Sequence, residues 1–214
     1  MLLVLVGLSL LSYLLGSIPT AIWYGDRYHG IDIRQHGSGN AGATNTFRVL
    51  GKKAGSIVLF VDALKGFAAA SLATLLYTFD LVDWQTCVSL KILFGFLAII
   101  GHLLPVFCDF KGGKGVATTL GMVIALHPQA ALVSSLVFLV VFAISHYVSL
   151  GSMITSLVFP LLLQLGVFGK ELPILIYFGF IISFLVIFTH RKNIGRIISG
   201  TENRMYLIPR KGRL

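Results

Sequence analysis

The sequence predicts an all-α integral membrane protein, a bundle of about seven transmembrane helices with the N-terminus outside and the C-terminus in the cytoplasm. Three observations predict it. Of the 214 residues, 56% are hydrophobic and only 12% are charged, about half the charge of an ordinary soluble domain, which leaves too little polar surface to face water. The apolar residues fall in runs close to the ~20 residues that a helix needs to cross the hydrocarbon core. The bases gather in alternate connections between those runs. No internal repeat or low-complexity tract interrupts the chain, so residues 1–214 read as a single membrane domain.

The first run, Leu2 to Tyr24, has no Lys or Arg before it. It therefore lacks the charged start of a signal peptide and is expected to be a retained span, kinked near Gly16 and Pro19. A polar stretch follows from Gly25 to Gly55. The second span is expected from Ser56 to Phe79, with Asp62 and Lys65 inside it, and Asp80 to Thr86 links it to a third, Cys87 to Cys108. After the loop Asp109 to Gly115, the stretch Val116 to Tyr147 is too long for one helix. Pro128 divides it, because the residue before a proline is pushed out of the helical region. That gives a short span ending near Leu126 and another from about Gln129 to Ser145. A re-entrant segment here is the alternative, with five or six spans in all. Ser152 to Phe168 and Leu172 to Thr189 complete the set.

Fourteen of the seventeen Lys and Arg residues lie in three places. The first loop holds Arg27, Arg34, Arg48, Lys52 and Lys53. The third holds Lys111 and Lys114. The tail holds Arg191, Lys192, Arg196, Arg204, Arg210, Lys211 and Arg213. The positive-inside bias puts all three in the cytoplasm. In so apolar a chain a net charge of +9 points to lipid headgroups or anionic substrates and away from nucleic acid. Cys87 and Cys108 have no metal-ligand spacing and are expected to be structural thiols.

The three basic segments also carry the polar chemistry. Residues 37–45 read GSGNAGATN. This fits G-x-G-x-x-G literally, but a membrane helix precedes it where a dinucleotide fold needs a strand. The anion chemistry remains: Gly37 and Gly39 let backbone N–H groups converge, while Ser38, Asn40, Thr44 and Asn45 add neutral donors. Arg48 offers a bidentate grip on phosphate. The third loop, FKGGKGVAT, sets Lys111 and Lys114 among Gly112, Gly113 and Gly115 at a helix N-terminus, which already favours anions. The plainer readings are a flexible polar loop and an ordinary positive-inside loop. The tail opens with His190 and Asn193, with Glu202 further on. Together the three segments are expected to share one membrane face and one anionic-ligand pocket. Asp62 and Lys65, at i and i+3, can pair on one helix face; intramembrane charge marks either function or support. His102, at the end of a span, is a pocket-rim or supporting residue.

Other chemistries find no residues: no G-x-S-x-G elbow, no H-E-x-x-H and no Cys/His cluster for zinc, so neither metal nor cofactor is expected. Nor does any His-x-x-x-x-Asp occur, the spacing that many glycerolipid acyltransferases use.

These segments resemble the PlsY family, the acyl-phosphate:glycerol-3-phosphate acyltransferases of bacteria. The matching residues run in order over nearly the whole chain: GSIP at 16–19; GSGNAGATN at 37–45 with Arg48 and Gly51; DALKG at 62–66; Gly101 and His102 with Pro105; FKGGKGVAT at 110–118; SLGS at 149–152; and HRKNIGR at 190–196 with Gly200 and Glu202. One departure is His146, where the resemblance leads one to expect Arg. The resemblance implies a multi-pass enzyme of the bacterial inner membrane, with its site facing the cytoplasm. It would move a fatty acyl group from acyl phosphate to the 1-hydroxyl of glycerol 3-phosphate, giving lysophosphatidic acid and phosphate, the first acylation of phospholipid synthesis. Ser38, Arg48, His190 and Asn193 would be the catalytic residues. A transporter of a small phosphorylated anion is the competing reading, since it too needs cationic loops; it would usually show an inverted repeat, which is not seen.

Overall fold

The computed structural model describes residues 1–206; Arg210, Lys211 and Arg213 of the predicted basic tail lie outside them. The chain divides into two compact units, Met1–Pro128 and Gln129–Leu214, and all regular structure in the described residues is helical.

In the first unit α1 runs Leu2–Ser17 and α2 runs Thr20–His29. The expected single span is broken between them and bent by 43°. Pro19 is the cause: it holds Ile18 at an extended ψ of 110° and cannot donate to the helical ladder. α2 stops at Gly30, whose φ of 63° forms a left-handed cap. After a short 3-10 turn at Ile33–Gln35, α3 covers Ala43–Thr78. It starts thirteen residues before the expected span, so Thr44, Asn45 and Arg48 sit on helix and not in loop. Gly51, with φ 84° and ψ −176°, interrupts it, just before Lys52 and Lys53. Asp83 caps α4, Trp84–Leu103, by accepting the Thr86 N–H at 2.7 Å; Pro105 bars its continuation. α5, Val116–Leu126, begins after Gly115 (φ 79°).

The second unit contains α6 (Pro128–Ser145), α7 (Val148–Gln164), α8 (Pro173–Thr189) and α9 (Arg191–Ile198). The expected split at His127-Pro128 is present, with Pro128 as the first residue of α6, where its missing N–H costs nothing. α9 turns away from α8 by 59°.

Among the described residues three helices are long and apolar enough to cross a membrane, and five spans result if each bent pair counts as one. α5 and α7 are apolar but shorter. Lipid gives helices no hydrophobic reason to associate, so close backbone approach at small residues has to hold them. A Cβ on Gly66 of α3 would overlap the Thr118 carbonyl of α5, and one on Gly121 of α5 would overlap the Ala63 carbonyl of α3. Gly16 of α1 meets Ala98 of α4, and Gly101 of α4 meets Tyr13 of α1. In the second unit Gly179 of α8 lies against Pro160 of α7. Ser183 of α8 donates to the Ser156 carbonyl of α7 as well as to its own helix at Gly179.

Gly121→Ala and Gly66→Ala are therefore expected to destabilise the purified protein by about 1–3 kcal/mol each, the range for overpacking a tight contact. Gly7→Ala, where nothing lies within 4 Å, is the control and should leave the melting temperature unchanged.

Candidate anion-binding site

A buried ion pair organises the first unit. Asp62 and Lys65 stand one turn apart on α3 with Oδ1 and Nζ at 2.8 Å, their residues 1% and 5% exposed. Asp62 Oδ1 also accepts the Thr20 hydroxyl of α2 at 3.0 Å. Lys65 Nζ donates to the Ile18 carbonyl at 2.8 Å. In an unbroken helix that carbonyl would accept from Ile22, but the Ile22 N–H goes to Pro19 instead. The ammonium thus joins the Thr20 N–H, 3.0 Å from the same oxygen, on a carbonyl that has lost its helical partner at the break. On the other side of Asp62, His102 Nδ1 lies 3.7 Å from Oδ1, fully enclosed and with no hydrogen-bond partner.

His102 ends the network at the lysine loop. The Gly113 N–H donates to the His102 carbonyl at 3.1 Å and the Gly112 N–H to the Leu103 carbonyl at 3.2 Å. A Cβ on Gly112 would overlap the His102 carbonyl, and one on Gly113 would overlap Nε2 of the His102 ring. These glycines are thus required by packing, whatever the loop binds. Gly115 turns the chain into α5. Lys111 is exposed and Lys114 half-buried.

The glycine loop is built the same way. Asn45, 1% exposed, spends its whole amide on the loop's backbone. Oδ1 accepts the Ser38 N–H at 2.8 Å, and Nδ2 donates to the Ile33 and His36 carbonyls at 3.0 and 2.9 Å. Its expected place among the phosphate donors is thereby replaced by a structural one. Gly37 (φ 61°) has its missing side chain's space filled by that amide. Ser38, Gly39 and Arg48 are exposed; Asn40 and Thr44 are half-buried. Beside the loop Arg34 grips Asp32 through Nε and Nη2, at 3.0 and 2.7 Å; this hydrogen-bonded guanidinium holds the Asp32 carboxyl below the usual range.

The two loops are neighbours: a Cβ on Gly113 would stand 3.0 Å from the Ala41 carbonyl. Ala41 precedes the first turn of α3, and Gly113 precedes that of α5. Two helix N-termini, each with N–H groups that have no intrahelical partner, therefore open close together. Arg48, Lys111 and Lys114 add full charges. Such an arrangement concentrates positive potential and suits a phosphate.

The second unit carries the other predicted residues. His190 links α8 to α9 and is buried; its Nδ1 lies 2.8 Å from the Val186 carbonyl. A neutral ring held there carries its hydrogen on Nδ1 and its lone pair on Nε2. Asn193 Nδ2 donates to Glu202 Oε1 at 2.7 Å, and Ser149 donates to the same oxygen at 2.8 Å. Arg196 Nε donates to Oε2 at 2.7 Å. Glu202, expected to face phosphate, is the hub that ties the tail to α7 and α9. Burial alone would raise its pKa, but the hydrogen bonds from Arg196, Asn193 and Ser149 outweigh that and hold its carboxyl below the ordinary value. The sequence reading assigned no such part to Ser149, Arg196 or Thr20, because their partners lie 53, 6 and 42 residues away and no spacing rule reaches them. His146, the departure from the family pattern, adopts φ 61° and packs its ring on Tyr206 at 4.7 Å.

Comparison with known proteins gives a consistent answer. A family model described as glycerol-3-phosphate acyltransferase matches residues 6–200. A glycerol-3-phosphate acyltransferase of Chlorobium limicola is 41% identical, over 95% of this chain and 97% of its own. One of Salinibacter ruber is 42% identical, over 92% and 90%. The crystal structure of PlsY, an integral membrane glycerol 3-phosphate acyltransferase, in its glycerol 3-phosphate form superposes with a TM-score of 0.81 at 39% identity, covering 94% of this chain and 96% of that one. Its lysophosphatidic acid form gives 0.80 at 40%, covering 94% and 95%.

Asp62→Ala strands a buried ammonium and is expected to cost about 3–5 kcal/mol, whereas Asp62→Leu with Lys65→Met should recover part of that loss; thermal unfolding in detergent measures both. The depressed pKa of Glu202 fixes the sign of a second expectation. The stability this contact gives is complete above the ordinary glutamate value, about 4.3, and is lost as pH falls through the depressed one. Melting curves between pH 6 and 3 should show that loss in the wild type, and Glu202→Gln should lack it.

Proposed function

The chain belongs to the glycerol-3-phosphate acyltransferase family, and on that premise we propose that it transfers a fatty acyl group from acyl phosphate to the 1-hydroxyl of glycerol 3-phosphate. The products are lysophosphatidic acid and inorganic phosphate. The glycerol 3-phosphate and lysophosphatidic acid forms of the solved relative support the acceptor and the product. The observation that carries the reading in this chain is the closeness of two glycine-opened helix N-termini, at Ala41 and Gly113, since both substrates bear a phosphate.

The protein works in the bacterial inner membrane. Seven spans follow if α1 with α2, and α8 with α9, each count as one broken span and the short α5 and α7 cross as well. The N-terminus is then outside, and the basic segments with the active site face the cytoplasm. The Lys111–Gly115 loop holds one phosphate. Ser38 and Arg48 hold the other, with Gly37, Gly39, Asn40 and Thr44 as nearby donors and lining. Asn45 and Glu202 act by positioning. His190 and Asn193 act on the glycerol hydroxyl.

Acyl phosphate is a mixed anhydride and needs no protein nucleophile. The 1-hydroxyl oxygen attacks the acyl carbon, the bond from that carbon to the phosphate oxygen breaks, and phosphate leaves with the electron pair. The hydroxyl proton passes to an oxygen of the departing phosphate. His190, with its lone pair on Nε2, orients the hydroxyl by accepting its hydrogen bond before attack, and the O–H then turns to the phosphate oxygen that takes its proton. Catalysis then consists of positioning and of charge stabilisation by the N–H groups and cations.

Protein in detergent with palmitoyl phosphate and glycerol 3-phosphate should release phosphate and form lysophosphatidic acid, followed by mass spectrometry. Lys111→Ala and Arg48→Ala should each lower kcat/KM by about 100-fold or more. Product from acyl-CoA but not from acyl phosphate would overturn the donor. Loss of an obligatory general base costs roughly 10²–10⁴-fold, so His190→Ala should retain more than a hundredth of wild-type kcat if the substrate takes the proton.

A further inference from the structure

Lys65 and Asp62 hold a place in this molecule that neither phosphate loop accounts for. They are buried, they belong to α3, and they touch α2 and the α1–α2 break through Thr20 and Ile18. His102 leads from them toward the lysine loop. Its ring stands between the Asp62 carboxylate at Nδ1 and the backbone of Gly113 at Nε2. Its own carbonyl accepts the Gly113 N–H, and the next carbonyl accepts that of Gly112. Gly112 and Gly113 have no side chains because His102 fills that space.

We infer that His102, set by the buried Asp62–Lys65 pair, is a positioning residue of the lysine loop: its ring and carbonyl fix the backbone of Gly112 and Gly113, and so aim the loop at phosphate. This rests on the reading that the loop binds a substrate phosphate. Three constraints bear on one residue pair. Two backbone hydrogen bonds set the distance of the loop from the end of α4. The ring blocks its inward collapse. Ala41, 3.0 Å from the same Cβ position, blocks it on the other side. Gly113 thus has one place to be; Lys114 follows it directly and Lys111 stands two residues before it. The ring is itself set by Asp62, which the Lys65 ammonium and the Thr20 hydroxyl hold in place. Displacing the ring moves the loop, and a misplacement of about 1 Å in a binding constellation costs up to about 100-fold.

The test uses the full-length enzyme in detergent and compares His102→Gln, Gly113→Ala and Lys111→Ala. The readouts are both substrate KM values, kcat, inhibition by inorganic phosphate and the melting temperature. Lys111→Ala identifies the substrate the loop holds, as the one whose KM rises. His102→Gln and Gly113→Ala should raise that same KM by about tenfold and weaken phosphate inhibition in parallel, with the other KM unchanged. A merely structural role would lower the melting temperature or the amount of active enzyme and leave both KM values alone; that result overturns the inference. If Lys111→Ala moves neither KM nor phosphate inhibition, the phosphate reading of the loop fails, and the inference falls with it. If His102→Gln does not fold, Gly113→Ala decides from the other side of the contact, and an unchanged KM there overturns the proposal.

Discussion

The first unit depends on an ammonium group held beside a carboxylate where water is nearly absent. Each ion alone would be costly to bury, and a pair offsets that cost only if its remaining hydrogen-bonding capacity is met. Lys65 meets it with the Ile18 carbonyl and Asp62 with the Thr20 hydroxyl. Both partners lie at the break that Pro19 imposes on the first helix. The pair is therefore built on the break. The break takes the Ile18 carbonyl out of the helical ladder, and the ammonium joins the Thr20 N–H as its second donor.

Packing makes the same demand elsewhere. Helices that gain nothing from hiding apolar surface in lipid must touch through their backbones. Gly66 with Thr118, Gly121 with Ala63, and Gly16 and Gly101 on α1 and α4 are such contacts. Lys91 gives a polar version: from within α4 its Nζ donates to the Ala125 carbonyl at the end of α5, where a cation also meets the negative end of the helix dipole. In the second unit Glu202 plays the part that Asp62 plays in the first, a carboxylate that gathers donors from separate elements. It differs in that its counter-ion, Arg196, is partly exposed, and neutral donors from Asn193 and Ser149 share the carboxylate.

The sequence made the helical class, the split at Pro128 and the short α5 legible, because each rests on a local rule: run length, proline geometry, a polar loop before an apolar run. The kink expected near Pro19 was legible for the same reason. The early start of α3 was not. Residues 43–50 follow the glycine loop and read as part of it, yet they are helical from the Gly42 N-cap onward, and Gly51 lets the axis change afterwards. Asn45 and Glu202 were picked out for the polar site, but their hydrogen-bond partners were not legible, since a side chain's partner is invisible when it lies far along the chain or belongs to the backbone. The pairing of Asp62 with Lys65 was legible from i, i+3 spacing; its link to Thr20 and Ile18 was not.

The glycines of the two polar loops carry the deeper lesson. On sequence alone they argue for phosphate, because glycine lets N–H groups converge. The structure gives Gly37, Gly112 and Gly113 a prior reason: Asn45 or His102 occupies the space of the missing side chain. The two reasons do not compete. A loop that must wait for its ligand to take shape loses binding energy to ordering, whereas a loop already wedged into one conformation does not. Here the wedge is supplied by buried groups behind the loops, while Ser38, Arg48 and Lys111 are exposed. On the proposed function, an anion arriving there would find the N–H groups of α3 and α5 already aimed. Stabilisation by fixed dipoles is worth most when nothing has to reorganise at the moment of reaction.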